Sequence, residues 1–328
     1  MIANDLPVRV DSEFARLRSV VVARCEFRAP DDPARAGLTS PPVEPGAVEL
    51  MQAVWGKDFG DAYPEKQAAW EAERENLAAL LRGYDVEVLR PRLLTEPEKA
   101  AGGGLGYANF FVRDPWFTVG AHVIEGVLQF PHRRTEVLTS RELLLDRVLP
   151  SAAGYVSLPM PEIAAAGDSG AGPFLEGGDV LVLGKQVLVG ESGMATNTLG
   201  RRFLQKYLRP FGFEVSRVRL PGHVLHLDCA LGLVREGLMI VCPARLPDGI
   251  PEALRDWDRI EVSEDEAAAM ATNGLPIDSG TYLTDPEFER VGAALRDRGI
   301  TVEYLDFSVS RLFGGAFRCS TQPLLRAD

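Results

Sequence analysis

The sequence is poor in the residues that most often announce a chemistry. Histidine and cysteine each occur four times in 328 residues. The cysteines (Cys25, Cys229, Cys242 and Cys319) show no CxxC spacing, so no zinc or thioredoxin-like motif is present. No GxGxxG opens a helix and no GxxxxGK[ST] occurs, which leaves nucleotide binding without support. No apolar run approaches the roughly 20 residues that span a bilayer. The opening residues, MIANDLPVRVDSEF, lack the layout of a signal peptide. Positive charge is in deficit: 35 Lys and Arg stand against 47 Asp and Glu, with a pI near 5.0. That balance argues against a nucleic-acid partner, which needs a basic surface. It is compatible with a cationic small molecule. Together these absences describe a reduced, soluble, cytoplasmic protein with no membrane partner.

What is present is a core-forming chain with a regular rhythm. Hydrophobic residues make up 46%. Arg18 to Ala23 reads as a buried strand, Tyr63 to Leu81 as a helix opened by Pro64, and Val86 to Leu89 as a strand. NFFVRDPWFTVG reads as a strand broken at Asp114-Pro115. HVIEG and VLQF read as further strands, and Thr139 to Val148 as a helix. DVLVLG and QVLVGE form a hairpin turned at Gly184-Lys185, followed by a helix over Asn197 to Leu208 and the strand EVSRVRL. LDCALGLV and GLMIVC form a second hairpin. Pro286 to Arg298 reads as a helix and TVEYLDF as the last clear strand. Strand pairs alternating with single helices fit repeated ββαβ-like units better than a doubly wound sheet. Residues 29–48 and the glycines at 102–104 have the composition of flexible loops and are candidate lids.

Four clusters carry the chemistry. In GGAFRCSTQPLLR, Cys319 follows Gly314-Gly315 and adjoins Arg318, with Arg326 nearby. A thiol is nucleophilic as thiolate, and neighbouring positive charge favours that form; read alone, the cysteine is more often a core residue. In VLHLDCAL, alternation puts His226 and Asp228 on one face of a strand, as a general acid/base and an orienting or binding acid; the bland alternative is a core histidine. Asp114 sits in an apolar, aromatic strand, either paired, with Arg113 as a candidate, or lining a pocket. Glu176 and Asp179 bracket Gly177-Gly178, either a plain hairpin turn or a turn presenting two carboxylates. One thiol, one imidazole and several carboxylates point to a guanidinium substrate. It is planar and cationic, with five N–H donors that carboxylates grip at its edges. Its central carbon stays open to a thiolate from the face.

NFFVRDPWFTVGAHVIEG, FLEGGD, HVLHLDCAL and GGAFRCSTQPLLR, in that order, resemble the amidinotransferase and arginine-deiminase superfamily over nearly the whole chain. The resemblance implies the pentein fold: a five-bladed α/β propeller of pseudo-fivefold ββαβ units around a central site, as one domain over residues 1–328. It implies Cys319 as nucleophile, His226 as acid/base and Asp179 as the acid that partners the histidine in transferases and grips the guanidinium in hydrolases. Asp114 and Asp228, with Glu176, match guanidinium-binding acids. Arg245 matches an arginine that binds a substrate carboxylate. FVRDPWFTVG and FRCSTQPLLR look like the arginine:amine amidinotransferases, whereas FLEGGD and the HLD at His226 look like the hydrolases. In MATNGLPI, Ala271 stands where some transferases carry a serine.

The expected reaction is transfer of the amidino group of arginine, or a related guanidine, to an amine through an amidino-cysteine intermediate. The alternative is hydrolysis to a ureido product and ammonia, and a minor one is a non-catalytic binding pentein. The expected partners are a guanidine donor and an amine acceptor. No metal or organic cofactor is implied, and an oligomer is compatible with the sequence.

Overall fold

The alternation seen in the sequence becomes a repeated backbone pattern in the computed structural model, which describes residues 7–32, 54–162 and 170–327. Five three-stranded sheets share one plan. Two strands pair antiparallel, the chain crosses over, and a third strand joins the second in parallel. In the first unit Leu17–Val22 pairs antiparallel with Thr321–Arg326 and parallel with Glu87–Leu89, across the helix Pro64–Gly83. The second unit runs Trp116–Val119, His122–Glu125, helix Leu138–Val148, Gly154–Ser157. The third runs Val180–Leu183, Gln186–Glu191, helix Thr198–Leu208, Glu214–Arg219. The fourth runs Leu231–Arg235, Leu238–Val241, Asp258–Glu261, and crosses over through 3₁₀ turns at Pro243–Arg245 and Glu252–Leu254. The fifth runs Leu275–Asp278, Thr281–Thr284, helix Glu289–Arg296, Thr301–Tyr304. A short pair, Glu26–Arg28 with Tyr107–Asn109, stands apart. Among the described residues no sheet closes on itself.

Local signals account for most of these elements. Pro64 occupies the first turn of its helix, where a missing N–H costs nothing, and Trp70, Leu77, Ala78 and Leu81 bury one face. Asn197 caps the next long helix but one by accepting the Gly200 N–H at 2.9 Å. The inner strands are apolar on both faces, so the units bury each other. Leu17, Val20 and Val22 share a cluster with Leu181 and Leu188, Leu231 and Met239, and Leu275 and Leu283. The second and third units share another, built from Phe117, Val119 and Ile124 against Val180, Val187 and Val189.

Several sequence-based expectations give way. VLQF forms no strand; Val127 makes a single bridge to Leu175 before the chain turns at Pro131–Arg133. His226 and Asp228 do not share a strand face, because Leu227–Cys229 is a 3₁₀ turn that His226 precedes. The hairpin Leu275–Thr284 was not expected, its apolar residues being too few to show alternation. Thr321–Arg326, beyond the cysteine, is a fully buried strand. Of the candidate lids, residues 33–48 lie outside the described residues, and Gly103–Leu105 forms a 3₁₀ turn. Among the described residues no helix is long and apolar enough to cross a membrane.

Candidate active site

Each of the five units delivers its functional group in the same place: the lead-in to its first strand. Asp114 precedes Trp116–Val119, Glu176 and Asp179 precede Val180–Leu183, and His226 and Asp228 precede Leu231–Arg235. Asn273 precedes Leu275–Asp278, and Cys319 precedes Thr321–Arg326. Hydrogen bonds join each lead-in to the next. The Gly177 N–H donates to the Asp114 carbonyl (3.0 Å), and the Leu227 N–H donates to the Asp179 carboxylate (2.9 Å). The Thr272 hydroxyl donates to the Asp228 carbonyl (2.8 Å), and the Arg318 N–H donates to the Asn273 carbonyl (3.1 Å). The Arg113 N–H then donates to the Cys319 carbonyl (3.2 Å), returning to the start. Cys319, His226, Asp114, Glu176, Asp179 and Asp228 are all buried.

Glycines set how closely these segments approach. A Cβ on Gly178 would stand 2.7 Å from the His226 ring and 2.8 Å from the Asp114 carboxylate. One on Gly177 would overlap the Arg113 carbonyl. The glycine pair in FLEGGD is therefore a packing requirement of the imidazole and its acids, which a hairpin turn alone would not impose. Gly315 does the same for the thiol, since a Cβ there would meet the Phe111 ring at 2.5 Å and the Cys319 Cβ at 2.8 Å.

The imidazole sits among acids. His226 Nε2 lies 2.9 Å from Glu176, and Nδ1 lies 3.8 Å from Asp114. Burial opposes the charged ring, but Asp114, the Glu176 hydrogen bond and Asp179 outweigh it and raise the pKa to about 10. The group that touches the histidine is thus Glu176, and not Asp179 as expected from the resemblance. Asp179 turns its oxygens to the N–H groups of Leu227 and Thr196, at 2.9 and 3.2 Å, and acts on His226 through charge. Burial pushes Asp179 up to about 7. Asp114 pairs with Arg133 (2.9 Å) rather than with its neighbour Arg113. Burial would raise its pKa, yet His226 and Arg133 hold it below the ordinary value. Arg133 also forks onto Glu136 at 2.8 and 2.9 Å and lies 3.9 Å from Glu176.

The thiol sits in a different field. Cys319 Sγ lies 3.8 Å from Asp228, and its backbone N–H donates to the Asn273 side-chain oxygen at 3.1 Å, which also accepts from Ala316 at 3.0 Å. Burial, then Asp228 and Asp114, push the thiol well above its ordinary value. Arg318, adjacent in sequence, does not outweigh this. Its guanidinium is spent on Glu13, Asp228 and the Val180 carbonyl. Arg245 does not present a free fork either. It donates to the Cys229 carbonyl (2.8 Å) and to Glu264 (2.9 Å), bracing the turn that carries Asp228.

Sequence reasoning missed Glu13, Arg133 and Asn273. Asn273 had a signal, an Asn-Gly just ahead of an apolar run, whereas Glu13 and Arg133 had none beyond their charge. Ligand atoms of Asp114, Glu176 and His226 lie within 4.8 Å of one another, a spacing that a metal ion could also use. The positive charges that the structure places there are Arg133 and the protonated imidazole.

No protein-family model matches the chain. An uncharacterised protein of Bacillus subtilis, YkgA, is 34% identical to it, over 78% of this chain and 80% of that protein. Inosamine-phosphate amidinotransferase 1 of Streptomyces griseus is 27% identical, over 81% of this chain and 83% of that protein. The solved inosamine-phosphate amidinotransferase of Streptomyces griseus superimposes with a TM-score of 0.79 at 22% identity, covering 98% of this chain and 97% of that one. That likeness shows an α/β pentein fold. The sequence likeness to named amidinotransferases over most of both chains, together with the shared fold, places the chain in the amidinotransferase/pentein family.

Proposed function

We propose that this protein moves the amidino group of arginine, or of a related guanidine, to an amine acceptor through a covalent adduct on Cys319. The observation that carries this reading is the hydrogen-bonded circuit of five lead-ins. It gathers one thiol, one imidazole and Asp114, Glu176, Asp179 and Asp228 from units far apart in sequence. The same circuit supports reading the five sheets as blades of one five-bladed propeller and residues 1–328 as a single domain. The surroundings favour a cationic guest, since Asp114, Glu136, Glu176 and Asp179 gather around Arg133 and His226, with Arg113 and Arg134 acting on Asp114 and Glu176 through charge.

The chemistry follows from the electrostatics. Burial keeps the thiol neutral before substrate arrives. A guanidinium gripped by the carboxylates brings positive charge beside it, which favours the thiolate, and the thiol proton passes to solvent. The thiolate attacks the guanidino carbon, and the sulfur–carbon bond forms. His226, protonated at neutral pH, gives its proton to the leaving nitrogen as the carbon–nitrogen bond breaks. The product is an alkylamine and an amidino-cysteine. A second amine then attacks, the neutral imidazole takes its proton, and the thiolate leaves. Ping-pong kinetics are expected.

The test is incubation with guanidino-labelled arginine, with and without a panel of primary amines, followed by mass spectrometry. Ornithine together with a labelled guanidino product, appearing only with an amine, supports transfer. Citrulline and ammonia without added amine would overturn it in favour of hydrolysis.

A further inference from the structure

Glu13 lies outside the five lead-ins, in the segment that crosses the third unit. Its backbone N–H donates to the Val182 carbonyl (3.1 Å), and its carboxylate accepts the Val182 N–H (3.2 Å). That carboxylate also receives Arg318 in a fork, Nε at 3.1 Å and Nη2 at 3.2 Å. Arg318 Nη2 donates to the Val180 carbonyl (2.7 Å), and Nη1 donates to Asp228 Oδ2 (2.8 Å). The same Oδ2 is the atom that faces Cys319 Sγ. Both Glu13 and Arg318 are buried, so water screens neither. A continuous line therefore runs from Glu13 through Arg318 and Asp228 to the sulfur.

The two residues have opposite effects on the thiol. Arg318 neutralises Asp228 and favours the thiolate, and Glu13 neutralises Arg318. The fork also fixes the rotamer of Arg318, so Asp228 meets it with one oxygen only. Other groups act on the same sulfur: Asp114 and Cys229 disfavour the thiolate, and the Asn273 side chain favours it. Arg74, buried on the helix Pro64–Gly83, interacts with it as well. Arg113 and Arg326 act on Glu13. None of these bridges Glu13 to the thiol as Arg318 does.

We propose that Glu13 and Arg318 are positioning residues that set the charge on Asp228 felt by the Cys319 thiol, and through it the reactivity of the nucleophile. The inference rests on Cys319 being the nucleophile of the proposed reaction.

The test is the pH dependence of Cys319 alkylation by iodoacetamide in the full-length protein, with the labelled cysteine located by peptide mass mapping. Glu13→Gln leaves Arg318 with Asp228 as its one carboxylate partner. Its alkylation midpoint should move to lower pH, with a rate at neutral pH raised by about threefold or more. The added positive charge should also raise KM for the guanidine more than it changes kcat. Arg318→Gln strips Asp228 of its cation and should move the midpoint the opposite way, with slower alkylation. Arg318→Lys keeps the charge and should stay near the parent. It also serves as the reference if Glu13→Gln does not fold, because Lys and Gln at position 318 must then still differ in the expected direction. Shifts of one sign in both the Gln variants, or no shift while the label is on Cys319, would overturn the positioning pair. Label that never reaches Cys319 in the parent protein would overturn the nucleophile and the pair together.

Discussion

The imidazole and the thiol are both buried, yet burial has opposite outcomes for them. Around His226, three carboxylates (Asp114, Glu176 and Asp179) outweigh the desolvation penalty and hold the ring protonated, its pKa raised to about 10. Around Cys319, the nearest carboxylate adds to that penalty and the thiol is held neutral. In the proposed mechanism, one arrangement of acids thus readies a proton donor and restrains a nucleophile at the same time. The restraint has a chemical use, because a permanently ionised thiol would react with any passing electrophile. A thiol that ionises when a cation is seated is selective for guanidines.

The sharpest way to break this comparison is to remove the thiol. Cys319→Ala should lower turnover by about 10⁴-fold or more and abolish the mass increase of the adduct, with unchanged circular dichroism. His226→Asn comes next. Loss of a general acid/base should slow turnover by about 10²–10⁴-fold while leaving Cys319 open to alkylation, and an effect below about tenfold would remove His226 from that role. The structural support of the acid half can be probed through Arg133. Arg133→Met leaves Asp114 and Glu136 buried without their cation and should destabilise the protein by about 3–5 kcal/mol in urea unfolding. Gly178→Ala should be milder, about 1–3 kcal/mol, because one methyl has to displace the imidazole and Asp114. Its turnover should fall more than its stability suggests.

A last expected effect is a slope of stability with pH. His226 has a folded pKa raised from its ordinary 6.5 to about 10. Its contribution to stability is therefore complete below pH 6.5 and lost as pH rises through about 10. Urea midpoints measured from pH 6 to pH 10 should fall, and His226→Asn should flatten that fall. An unchanged slope in the variant would place the titration elsewhere.

Much of this was legible in the sequence. The alternation of strands and helices anticipated each of the five units in part, the fifth without its hairpin. Asp114, Glu176, Asp179, His226, Asp228 and Cys319 stood out as polar groups in apolar runs or beside glycines. Their pairings were not legible. Glu176 rather than Asp179 meets His226 because a 3₁₀ turn over Gly177–Asp179 rotates the two acids apart. Arg318 adjoins the thiol in sequence, but it points to Glu13, 305 residues away, and adjacency says nothing of that. Arg245 had the right spacing and the wrong surroundings, since Glu264 had already claimed it. Which groups could be chemical depended on local composition. Which groups met depended on contacts between units, and no local pattern encodes those.

The first sheet pairs Val22 with Thr321, so its two antiparallel strands are made about 300 residues apart. During translation Leu17–Val22 emerges early and waits for its partner while the other four units are synthesised. Loop closure over such a span is slow and comes late. The strand that arrives last is the one that Cys319 leads into. A nascent chain can therefore assemble its acids and imidazole well before it can hold a thiol against them. If Cys319 is the nucleophile proposed above, covalent chemistry is deferred until that strand is in place, and a chain stalled before residue 319 is chemically silent.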